Sequence, residues 1–148
     1  MSRRREEMQT QKALEHARAG EPVERVAVAH GTVKMNPRTL ERVMAKTMPK
    51  GNVIELAKAA GLVAARKAGD FVAGLGARHV THVAVNVAPG GKDRLAIVAE
   101  VKALSAEACD TEALAAVSAA ALTVFSLCRD ADPALIITDL RPEGPAVA

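Results

Sequence analysis

The residues able to do chemistry fall in a few short groups. Lys50 stands in Pro49-Lys50-Gly51-Asn52, a chain break. A lysine there can hold a phosphate or move a proton, or it can simply stand in solvent. Arg66-Lys67 closes an apolar-striped segment; the pair can hold an anion or form the wet face of a helix. Asp110 and Glu112 lie two apart ahead of a long apolar run. Carboxylates placed there also favour a helix dipole, whatever else they do. Arg129 follows that run directly after Cys128. Between the second and third groups lies Ala73-Gly74-Leu75-Gly76-Ala77, almost without side-chain chemistry, and then Arg78, His79 and His82.

Weaker signals come next. Gly74 and Gly76 can expose backbone N–H groups to a phosphate. They precede a strand rather than a helix, so a tight helix-to-strand connection is the better reading. His79 and His82 are three apart on that strand and are expected on opposite faces, which argues against one shared metal ion. Cys109 and Cys128 have no metal-ligand spacing and make no disulfide framework, which suits a reduced, cytoplasmic compartment. Cys128 falls on an apolar stripe and reads as core.

Composition narrows the class. A chain of 148 residues is long enough for one domain with a real core. Its only Phe, Tyr or Trp side chains are Phe71 and Phe125, which counts against the aromatic stacking platforms of single-strand nucleic-acid binders. The net charge of +3 suits an anionic ligand, although part of it sits in Arg3-Arg4-Arg5. No apolar run is expected to reach a membrane span, and no signal-peptide core is visible. No nucleic-acid or membrane partner is expected.

The elements that must position these groups follow from periodicity. Residues 1–22 are charged and read as a loose helix or flexible arm ending at Gly20. Alternating Val26, Val28, Val33 and Met35 make a strand with a bulge expected at His30-Gly31. Asn36-Pro37 opens a short helix. A second helix is expected over 53–67, its apolar face made of Val53, Leu56, Ala57, Ala60, Val63 and Ala64. Val83, Val85 and Val87 mark a strand, 89–93 a hairpin loop, and 94–104 the returning strand. Asp110 reads as the N-cap of a long helix striped by Leu114, Val117, Ala121, Val124 and Cys128. Leu135–Leu140 is the last strand, and 143–148 a mobile tail. The domain is therefore 23–142. Its order gives an α+β fold, a ferredoxin-like βαββαβ plait with an antiparallel sheet and the helices on one face. Apolar residues on both faces of the central strands call for a homo-oligomer, with a ligand site at a subunit junction.

The segments "VERVAVAHGTVKM", "KGNVIELAKAAGLVAARK", "TEALAAVSAAALTVFSLCR" and "IITDLR" resemble, in order and spacing, the MoaC family of cyclic pyranopterin monophosphate synthases. The resemblance covers roughly residues 22–142. It implies molybdenum cofactor biosynthesis: a cyclised GTP intermediate is converted to cyclic pyranopterin monophosphate with release of pyrophosphate. It also implies a lyase, a dimer or a hexamer of dimers, sites between subunits, and no cofactor.

The family's functional residues carry over unevenly. Its Lys-Gly-Asp lysine corresponds to Lys50, with Asn52 in place of the aspartate. Its basic pair corresponds to Arg66-Lys67, and its Glu-Met-Glu triplet to Asp110-Thr111-Glu112. Its Asp-x-x-Lys corresponds to Ser126 and Arg129. Where the family has Leu-Cys-His-Pro, the histidine position is Gly76, and His79 lies three residues on. The resemblance thus assigns catalysis to Lys50, Asp110, Glu112 and Arg129, and substrate binding to Arg66, Lys67 and His79. The phosphate clamp is kept and part of the proton-transfer set is lost. Three readings follow: a divergent working synthase, a catalytically silent relative that binds a nucleotide as regulator or scaffold, or a related lyase with another substrate.

Overall fold

The computed structural model describes residues 3–18, 21–76 and 78–144. Helix α1 spans Arg3–Arg18 and strand β1 Val23–Lys34. Helices α2 (Pro37–Met44) and α3 (Val53–Arg66) follow, then β2 (His79–Gly91), β3 (Arg94–Ser105), α4 (Asp110–Cys128) and β4 (Ile136–Pro142). The four strands form one sheet in the order β2-β3-β1-β4, with every neighbouring pair antiparallel. Both α3 and α4 pack on the sheet and on each other. This is the ferredoxin-like plait. The end of the tail, 145–148, and Gly20 lie outside the described residues.

Local chemistry sets the boundaries. Asn36 caps α2 by accepting from the Arg38 N–H at 3.0 Å, with Pro37 in the first turn. Asn52 caps α3 by accepting from the Glu55 N–H at 3.3 Å. Helix α4 is the exception to expectation: its cap position is Cys109, and Asp110 is its first residue with no side-chain cap bond. The β2–β3 hairpin turns on Lys92-Asp93 alone, because pairing continues to Gly91 and Arg94.

The core is built of small side chains. Ala99, Val101 and Ala103 of β3 and Ala113, Ala116, Val117 and Ala120 of α4 are fully buried. Helices approach closely as a result: a Cβ on Gly61 of α3 would lie 3.0 Å from the Ala116 carbonyl of α4 and 2.9 Å from Val85 of β2. Helix α4 is long and apolar enough by length and composition to cross a membrane, contrary to expectation. Its buried face lies against the sheet and α3, the pattern of a core helix.

Three expectations change. The α3 core face is Val53, Ala57, Gly61, Ala64 and Ala65, whereas Leu56 and Val63 are 44% and 55% exposed. The bulge expected on β1 lies on its partner. Strand β1 pairs with β3 without a break, but the step from His30 to Thr32 is matched by Arg141 to Thr138 on β4. The extra β4 residues include Asp139, at φ 57°. Strand β2 carries its own extra residue at Thr81, since His79 pairs Leu104 and His82 pairs Lys102. That extra residue reverses the alternation, so His79 and His82 share the sheet face that α3 and α4 leave open.

Candidate functional site

Topology decides where the charged groups go. Strands β1 and β2 both run antiparallel to β3, so α3 must run opposite to them, and α4 opposite to α3. The start of α3 and the end of α4 therefore share one end of the sheet, beside Lys34 and Ile136. The end of α3 and the start of α4 share the other, beside His79 and Ser105. From Glu112 to Arg129 along α4 is about 25 Å at the helical rise.

At the first end sit Lys50, Asn52, Ser126 and Arg129. Asp132 fixes this end: its buried carboxylate accepts from the Asn36 N–H at 2.7 Å and from the Thr39 hydroxyl at 3.0 Å, tying α2 to the chain after α4. Lys50 reaches Asp130 at 2.9 Å. That hydrogen bond holds the Asp130 carboxyl below its ordinary range, with the Lys50 and Arg129 charges adding. The Arg129 guanidinium stands 5.9 Å from the Phe125 ring centroid. A cleft of about 250 Å³ is lined here by Arg42, Pro49, Lys50, Leu127 and Asp130. Asn52 spends its side-chain oxygen on the helix cap, a task asparagine performs as well as aspartate.

At the second end sit Arg66, Lys67, His79, Asp110 and Glu112. The Arg66 guanidinium donates to the Val80 carbonyl at 3.1 Å. Lys67, His79 and Asp110 are exposed. Glu112 is not: its side chain is 2% exposed and accepts from Arg78 at 2.8 Å. Arg78 also donates to Glu107 at 2.9 Å and to the Ala108 carbonyl at 3.1 Å. The second oxygen of Glu112 is buried and, among the described residues, has no partner. Gly76 lies in open space, with nothing within 4 Å of where a Cβ would stand.

The seven candidate residues thus fall into two groups, Lys50 with Arg129 and Arg66, Lys67, His79, Asp110 with Glu112. One chain does not bring them together. Sequence reasoning missed Arg78, the partner that withdraws Glu112 from solvent. The signal was present as a lone cation between a glycine turn and a strand, but sequence alone did not show which carboxylate it would meet. No group of three or more metal-ligating side chains occurs among the described residues.

Residues 17–143 match the MoaC family. The cyclic pyranopterin monophosphate synthase of Desulforapulum autotrophicum is 39% identical over 118 residues, 79% of this chain and 72% of that protein. That of Magnetococcus marinus is 38% identical over 119 residues, 80% of this chain and 73% of that protein. The cyclic pyranopterin monophosphate synthase 3 of Mycobacterium tuberculosis is 39% identical over 117 residues, 79% of this chain and 66% of that protein.

Proposed function

The chain belongs to the MoaC family, and on that premise we propose that it binds a phosphorylated, GTP-derived substrate of molybdenum cofactor biosynthesis at a site completed by a second copy of itself. Lys50 and Arg129 of one copy, with Arg66 and Lys67 of another, form the phosphate clamp. Such cations stabilise a departing pyrophosphate and a forming cyclic phosphate. The observation that carries the reading is the placement of these four cations at opposite ends of the α3–α4 layer. A single chain cannot close them on one ligand, but two chains can.

The proton-transfer half of the site is reduced. Ring opening and pterin formation require positioned acids and bases. Gly76 offers no side chain where the family's histidine stands, and Ser126 offers no carboxylate. Glu112 is held by Arg78 out of reach of a ligand. Arg129 cannot serve as a neutral base, because a guanidinium keeps its proton. His79 and Asp110 are the exposed groups left to move protons at this end. The protein therefore binds substrate with turnover well below that of an intact synthase. The silent, nucleotide-binding reading is favoured over full activity by the same open space at Gly76.

The test measures two quantities in one preparation. Calorimetry with GTP reads the clamp; pyrophosphate and pterin released from the cyclised intermediate read the chemistry. Binding with slow or absent pterin formation is expected. Pterin formation at the full rate of an intact synthase overturns the reduced-site reading, and absence of GTP binding overturns the clamp.

A further inference from the structure

Two clefts at the Lys50 end of the sheet share one side chain. The first, of about 250 Å³, is lined by Arg42, Lys50, Leu127 and Asp130 among others. The second, of about 440 Å³, is lined by Phe125, Arg129, Asp130 and Pro133. Asp130 belongs to both walls. The chemistry of the two differs. The first offers the cations Lys50 and Arg42. The second offers flat and apolar surfaces and one carboxylate. Its Phe125 ring is half-buried, with the Arg129 guanidinium 5.9 Å from the centroid.

Asp130 is equipped to accept. Lys50 meets its Oδ2 at 2.9 Å, and the side chain is 73% exposed. Its Oδ1 makes no hydrogen bond among the described residues. The hydrogen bond from Lys50 and the charges of Lys50 and Arg129 hold the carboxyl below its ordinary range. It is therefore ionised at neutral pH and acts as an acceptor only.

From this we infer that the second cleft is a base pocket in which Asp130 selects a guanine-type edge. A guanine ring presents a ring N–H and a 2-amino group side by side. One carboxylate can accept from both, and such charge-assisted pairs are the strong ones. Adenine presents an acceptor nitrogen where guanine has the ring N–H, so it meets Asp130 with like polarity. Unpaired bases are read in this way, by hydrogen bonds along one edge and by stacking on aromatic or apolar side chains. The phosphates of the same ligand turn towards Lys50 and Arg42 in the neighbouring cleft. A pterin carries the same two donors as guanine, so one carboxylate can keep its hold while the rest of the ring system is rebuilt. The inference deepens the proposed binding of a GTP-derived substrate, and rests on that reading for the phosphate end of the ligand alone.

Asp130→Asn is the deciding variant. An exposed ion pair contributes little to folding, so the variant should keep the wild-type melting temperature. Calorimetry on the full chain uses GTP, inosine triphosphate, ATP and inorganic pyrophosphate. Saturation-transfer NMR uses guanosine and adenosine, which carry no phosphate. The wild type is expected to bind GTP about tenfold or more tighter than ATP, with inosine triphosphate between them because it lacks the 2-amino group. In Asp130→Asn the GTP-to-ATP preference should fall to within about threefold, and the guanosine signal should weaken. Pyrophosphate should bind the variant as tightly or tighter, because a negative charge has gone. A wild type that binds GTP and ATP equally overturns the pocket and leaves the clamp. A guanine preference that survives Asp130→Asn overturns the assignment to Asp130. Guanosine binding without pyrophosphate binding keeps the pocket and sinks the clamp, and a chain that binds neither guanosine nor GTP overturns both.

Discussion

Arg78 donates to Glu112 across 2.8 Å, and the two side chains are only 9% and 2% exposed. This buried ion pair joins the chain just before β2 to the first turn of α4. It sits beside Gly76, two residues earlier in the chain. Taking Arg78 away leaves the Glu112 carboxylate without compensation in a closed space, whereas taking Glu112 away leaves Arg78 its exposed partner Glu107 at 2.9 Å. Arg78→Leu is expected to cost about 3–5 kcal/mol of folding stability, Glu112→Gln less, and the double variant Arg78→Leu/Glu112→Leu distinctly less than the sum. Urea unfolding of the three variants checks this. Losses under about 1 kcal/mol for both single variants would show the pair to be energetically idle, as exposed pairs are.

Gly31 is a position where the fold leaves no room. A Cβ there would stand 2.5 Å from Val117 Cγ1 and 2.8 Å from Leu140 Cδ2. Leu140 is 43% exposed and can swing aside, but Val117 is fully buried, so Gly31→Ala presses on α4 and should cost about 1–3 kcal/mol. Adding Val117→Ala removes one of the two clashes and should recover part of that loss relative to Val117→Ala alone. Thermal unfolding of the two singles and the double measures the coupling; simple additivity would refute the clash.

Stability should fall above about pH 9, where an ordinary thiol ionises. Burial pushes the Cys128 thiol up from its ordinary 9.0 to about 11, with the Asp132 charge adding. Burial pushes the Cys109 thiol up as well, with Glu112 adding. In the unfolded chain both ionise near their ordinary value, while in the fold they keep their protons. The stability they contribute is therefore full below about pH 9 and is lost as pH rises towards about 11. For Cys128 the gap of about two units corresponds to about 3 kcal/mol. Urea midpoints at about pH 8 and about pH 11, either side of that window, should converge more in Cys128→Ala than in the wild type, although that variant starts lower because of its cavity. Equal losses in both proteins would contradict the buried thiol as a cause.

Much of the fold was legible because period and punctuation agreed. Asn36-Pro37 announced α2, and the alternating valines of β1 and β2 announced their strands; the Asn52 cap of α3 went unread. What was not legible depended on partners. Leu56 and Val63 look like core residues beside Val53, Ala57 and Ala64 on a helical wheel, and only packing shows that Gly61 and Ala65 face inward in their stead. The extra residue at Thr81 cannot be read from local alternation, because it is defined by pairing with β3. It turned His79 and His82 onto one face. The candidate site was half legible for the same reason. Types and spacing named the cations only as candidates, but their division between two ends follows from strand order, and the burial of Glu112 follows from Arg78.

A clamp shared between copies predicts complementation. Lys50→Ala and Arg66→Ala/Lys67→Ala proteins should each bind GTP weakly. Mixed, unfolded and refolded together, they should regain about a quarter of the wild-type sites, since half of random dimers are mixed and each mixed dimer holds one intact site. Calorimetric stoichiometry reads this directly. If the mixture binds no more than its components, the two groups of cations do not share a ligand.

The reduced-site proposal is tried most directly by Gly76→His. Nothing stands within 4 Å of where a Cβ on Gly76 would point, and its φ is outside the left-handed region, so a side chain enters without strain. The new imidazole would stand at the end of the molecule that already holds Asp110, His79 and the Arg66–Lys67 pair. A positioned acid or base contributes about two to four decades in rate. Because Ser126 still lacks a carboxylate and Glu112 stays paired with Arg78, a smaller gain is expected, about tenfold or more in pterin formation. GTP affinity should change little, since the clamp cations are untouched. A rise in turnover at constant affinity locates the lost function at Gly76. Unchanged turnover in a folded Gly76→His protein that still binds GTP would place the deficit elsewhere, with Ser126 the next position to restore.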